Sequence, residues 1–97
     1  MDIKQINFKD FKCNVTKFYY TNNRTAIKLI DSEDGMPILT ATVNLPDENI
    51  NEDEVLIKSW SENEGIEEIL IKENIIGPKI KEIPAGFANA TLHKLLI

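Results

Sequence analysis

From residue 39 to residue 45 the chain alternates strictly, with Leu39, Ala41, Val43 and Leu45 on one parity and Thr40, Thr42 and Asn44 on the other. A period of two marks a β-strand with one buried face, so this stretch demands a sheet with something packed on one side. The segments before it carry the same signal. Residues 13–20 are rich in β-branched and aromatic side chains and end at Thr21-Asn22-Asn23-Arg24, where the paired asparagines suit a left-handed turn. Residues 25–30 resume as a strand and stop at Asp31-Ser32-Glu33-Asp34-Gly35, with Asp-Gly at the tip of a second turn. These three strands read as an antiparallel meander.

Pro46 ends the third strand, and residues 47–54 form an acidic loop around one apolar residue, Ile50. Residues 55–60 read as a fourth strand. Ser61-Glu62-Asn63-Glu64 then has the spacing of a capping box, in which Ser61 and Glu64 would each bond the other's backbone amide. Ile66, Ile69 and Leu70 follow at helical spacing, and Gly77-Pro78 is placed to stop the helix. Residues 79–83 and 90–96 are strand-like, separated by Pro84-Ala85-Gly86. The expected fold class is α+β: a mostly antiparallel sheet in the order β-β-β-β-α-β-β, with one helix packed on it. Ninety-seven residues, 42% of them hydrophobic, suit a single globular domain spanning residues 1–97.

Several function classes lack their residues. Strongly apolar runs such as Ile69-Leu70-Ile71 reach only three residues, far short of the roughly 20 of a membrane span. No secretory h-region follows Met1, and the single Cys13 has no disulfide partner within the chain, so a cytoplasmic location is expected. The three Asn-x-Thr triplets at Asn14, Asn23 and Asn89 read as chance among ten asparagines. The four glycines stand apart, which leaves no glycine-rich phosphate loop. One Cys and one His cannot supply the four ligands of a zinc site. Asp47-x-Asn49-x-Asn51 copies the opening of a calcium loop, but Glu52 stands where glycine is needed and Lys58 where a bidentate Glu is needed. His93 has no sequence neighbour to orient it as a base, and Cys13 opens a strand far from any other Cys or His. The expectation is therefore no enzyme, no cofactor and no metal.

Charge is the most uneven property. Residues 1–30 carry six basic and two acidic side chains, residues 31–76 two and thirteen, and residues 77–97 three and one, which gives +4, −11 and +2. An acidic middle can simply hold the domain to its basic flanks, or it can face a basic partner. Direct nucleic-acid binding is disfavoured, since Arg24 is the only arginine. The junction Trp60-Ser61-Glu62-Asn63-Glu64-Gly65 sets a large aromatic beside clustered polar groups where a strand meets the helix. It reads either as a cap over a core tryptophan or as a contact surface, with Trp60 as anchor and Glu62, Asn63, Glu64, Glu67 and Glu68 around it. On the second reading the face also includes Asp47, Glu52 and Asp53 of the acidic loop.

Ala41-Thr42-Val43-Asn44-Leu45-Pro46, the strand at 54–58, Ser61-Glu62-Asn63-Glu64-Gly65 and Pro84-Ala85-Gly86-Phe87 together resemble one family. It comprises small proteins of unknown function from bacteriophages and from integrative or conjugative elements of low-GC bacteria and gut commensals. The resemblance runs from about Cys13 to the C-terminus, with Trp60 standing where the family pattern has tyrosine. It implies a compact fold and a mobile-element setting, and it carries no activity to particular residues. Small accessory proteins of such elements often bind and inhibit host defence proteins. The resulting expectation is a non-catalytic accessory protein that binds a host protein with a basic surface, with a homodimer through open strand edges as an added possibility. The alternative is a small-molecule or nucleotide-binding module that acts as an oligomer. An enzyme would need His93, Cys13 and an acidic residue to meet in one cleft.

Overall fold

The computed structural model describes residues 4–97. Its elements are β1 (Lys4–Phe8), β2 (Phe11–Tyr19), β3 (Thr25–Asp31), β4 (Pro37–Thr40), β5 (Glu54–Ile57), a 3-10 turn (Ser61–Asn63), α1 (Ile66–Lys72), β6 (Ile76–Ala85) and β7 (Ala88–Leu95). All strand pairings are antiparallel, in one sheet ordered β1-β2-β3-β4 and another ordered β5-β7-β6. The fold is α+β, as expected. Five strands rather than four precede the helix, because β1 was not read from the sequence.

In the first sheet Ile6, Cys13, Val15, Leu29 and Leu39 stand in register on one face and are all buried. They pack against Val55 and Ile57 of β5 and against Ile66 and Leu70 of α1, which together form the main core. Burying each of the two helix side chains contributes about 1.5–3 kcal/mol. The neighbour between Val55 and Ile57, Leu56, points the other way. It forms a second core with Ile83, Ala90 and Leu92, covered by Val43, Leu45, Ile50 and Trp60. β5 and the middle of β7 are thus buried on both faces, whereas β6 is exposed from Pro78 to Glu82.

The alternation at 39–45 has a physical outcome that periodicity alone did not specify. β4 ends at Thr40, and the chain then changes ladder partner. The Ala41 amide donates to Ile27 O in β3, whereas Ala41 O accepts from Lys58 and the Val43 amide donates to Leu56 O. Leu39 and Ala41 fill the main core, while Val43 and Leu45 cover the second. One alternating segment therefore stitches the two sheets together.

The capping box does not form. Ser61 sits at φ +57°, and no side chain caps the turn it opens. Glu64 instead donates its amide to the backbone Ser61 O. The α-helix starts only at Ile66, after Gly65 at φ +91°, a backbone conformation that favours glycine. It ends at Lys72, well before Gly77-Pro78, because Asn74 turns left-handed at φ +61°. Gly77 and Pro78 lie in β6. That edge strand carries Pro78, Lys79, Lys81 and two register shifts, all of which hinder edge-to-edge pairing.

Candidate partner-binding loop and cleft

Side chains rather than regular secondary structure hold the acidic loop. Arg24, at the end of the β2–β3 turn, donates Nη1 to Leu45 O at 2.6 Å and Nη2 to Glu48 O. Asn22 Nδ2 donates to Asn44 Oδ1 at 3.2 Å, and the Tyr20 and Thr42 hydroxyls share a bond at 3.0 Å. The turn adopts this form because Asn23 takes φ +67°, which asparagine tolerates. Further along, the Glu54 carboxylate accepts the Asn51 amide at 2.8 Å and Asp53 O accepts the Leu95 amide at 2.7 Å. Ile50 is pressed against the second core. Anchored at so many points, the loop has lost most of its freedom before any partner arrives.

Asp47, Glu52 and Asp53 project from this frame and are exposed. Only Asp53 has a cation beside it among the described residues, Lys94 at 3.7 Å, and both of those side chains are more than half exposed. Between the β2–β3 hairpin and the loop lies an open cleft of about 680 Å³. Lys17, Tyr19 and Arg24 line it from the hairpin, Glu52, Asp53 and Glu54 from the loop and the start of β5, and Leu95 and Ile97 from the end of the chain.

The helix-side candidates are distributed differently. Glu62, Glu64 and Glu68 are exposed, and Glu62 sits 3.9 Å from Lys58. Asn63, expected at a contact surface, is completely buried and cannot touch a partner. Its Nδ2 donates to Thr40 O at 2.8 Å and Lys58 O at 3.0 Å, binding the two strands where the sheets part. Trp60 is half-buried and packs on the second core. Glu67 turns inward, with its Oε2 3.3 Å from His93 Nε2. Moreover, the helix packs on the Val55–Ile57 face of the three-stranded sheet while the loop covers the Leu56 face. The single acidic face expected from sequence is therefore two segments anchored on opposite faces.

His93 is fully buried on β7. Gly77 O, 2.8 Å from Nδ1, can only accept, so Nδ1 carries a proton, and the Thr91 hydroxyl meets Nε2 at 2.8 Å. Cys13 is buried in the main core, and its thiol is pushed up from the usual range first by desolvation and then by the Asp31 carboxylate. Neither residue lines the cleft. Among the described residues, no group of three or more His, Cys, Asp or Glu side chains is placed to hold a metal, and no helix is long and apolar enough to cross a membrane.

The chain matches no protein-family model, curated protein or solved structure. The residues that sequence reading overlooked are Lys17, Tyr19, Asn22 and Arg24. A lone arginine beside a paired-asparagine turn was the available hint, but its carbonyl partners lie 21 and 24 residues away.

Proposed function

We propose that this chain is a non-catalytic binding protein of a phage or mobile element, and that it engages a basic surface on a host protein through the loop at 47–54. The observation that carries this reading is the combination of a pinned backbone with outward carboxylates at Asp47, Glu52 and Asp53. A pre-ordered loop gives up little conformational entropy on binding, so more of its contact energy appears as affinity. Exposed carboxylates, of which only Asp53 has a cation within 4.0 Å among the described residues, steer a basic partner and repel an acidic one. Inhibition of a defence system belongs to the same proposal and follows from the mobile-element resemblance.

The test is affinity capture from host lysate at about 50 mM and about 500 mM salt, where screening of surface charge differs strongly. The expected catch is a basic protein retained at low salt and lost at high salt. A partner retained equally at both would remove charge from the explanation.

A further inference from the structure

We infer that the cleft between the β2–β3 hairpin and the loop is a binding site for a short ampholytic peptide, one carrying a separated cation and carboxylate. The cleft's roughly 680 Å³ falls within the size range of ligand sites. Its lining carries both signs, with Lys17 and Arg24 contributed by the hairpin and Glu52 and Glu54 by the loop side. No ion pair within 4.0 Å joins any two of these four charges, although Glu54 Oε1 already accepts the Asn51 amide. The ion pairs within 4.0 Å among the described residues are Lys58–Glu62, Lys79–Glu82, His93–Glu67 and Lys94–Asp53, and none of the four takes part in them.

Such a cleft selects by sign. A purely anionic ligand drawn to Lys17 and Arg24 meets the carboxylate wall, and a purely cationic one drawn to Glu52 and Glu54 meets the basic wall. A ligand with both charges satisfies both walls in one orientation and is penalised in the reverse one. Tyr19, 64% exposed, adds an aromatic surface for the ligand's cationic group or chain. Arg24 already spends two donors on Leu45 O and Glu48 O, so it supplies charge at a fixed position, while Lys17, whose Nζ donates to Ile97 O at 3.2 Å, exchanges that bond to reach a ligand carboxylate.

This inference does not rest on the partner-binding proposal, because its probes are free peptides and no host protein is needed. Backbone amide shifts of the full chain are followed while adding acetyl-Lys-Gly-Gly-Glu-amide, and separately the all-Lys and all-Glu counterparts. The mixed peptide should give saturable shifts around Lys17, Tyr19 and Glu52 with a Kd of about 1 mM, and each single-sign peptide should bind at least about fivefold more weakly. Lys17→Glu and Glu52→Lys, each with an otherwise unchanged spectrum, should each weaken the mixed peptide about fivefold. The inference is overturned by no saturable shift up to about 10 mM. Equal binding of all three peptides, or binding unchanged in both variants, would overturn it too. A failure here leaves the salt-dependent capture result standing.

Discussion

Replacing Asn63 tests the junction that positions everything else. The side chain is fully buried and gives one donor each to Thr40 O and Lys58 O. Those carbonyls fix the amide orientation, since the oxygen in the same place would set acceptor against acceptor. Its own Oδ1 finds no partner, so Asn63 already bears one unsatisfied buried atom. Asn63→Ala withdraws two donors from buried carbonyls, and at about 1–2 kcal/mol each it should cost about 2–4 kcal/mol. For a domain near 100 residues that is a fall in Tm of about 10–20 °C. Asn63→Asp is the sharper variant, because it leaves no cavity yet places a buried carboxylate oxygen against the same two carbonyls. It should cost at least as much as alanine. Chemical denaturation with matched thermal melts reads both. A loss below about 1 kcal/mol for Asn63→Asp would refute the claim that this amide ties the strands.

Three other outcomes follow from the geometry. Ser61→Ala should change stability by less than about 0.5 kcal/mol in denaturant titration, since no side-chain cap forms; a working capping box would lose about 1 kcal/mol. Cys13 should resist iodoacetamide at pH 8 in the folded chain and react once denaturant is added, because burial and Asp31 both hold its thiol protonated; rapid labelling of the folded chain contradicts this. His93→Ala should lower stability by about 2–4 kcal/mol by emptying a buried site and orphaning Gly77 O, again read by denaturation, and a neutral result would show the ring to be dispensable.

Local rules were legible where one partner decided the outcome. The β2–β3 and β3–β4 turns lie where their Asn and Asp-Gly signals stand, with left-handed backbone at Asn23 and Gly35. β1 escaped notice because Lys4–Phe8 offers only two inward residues, Ile6 and Phe8, and is held by pairing with β2 rather than by its own pattern. The capping-box spacing misled because Gly65, one residue beyond it, takes a left-handed turn that restarts the chain as a separate helix. Asn63 and Glu67 were expected on a contact surface around Trp60, yet Thr40 of β4, Lys58 just past β5 and His93 of β7 reach them. The cleft was invisible for the same reason. Its lining comes from residues 17–25, 50–54 and 95–97, and only the stitching of the two sheets brings them together.

The most direct test of the binding proposal compares two charge reversals of similar size on opposite faces of the three-stranded sheet. One variant carries Asp47→Lys, Glu52→Lys and Asp53→Lys, and the other Glu62→Lys, Glu64→Lys and Glu68→Lys. Each is used with the unaltered chain to capture partners from host lysate at low salt. The loop reversal should lose the salt-sensitive basic partner while the helix reversal keeps it. Retention of that partner by the loop reversal would contradict the binding proposal.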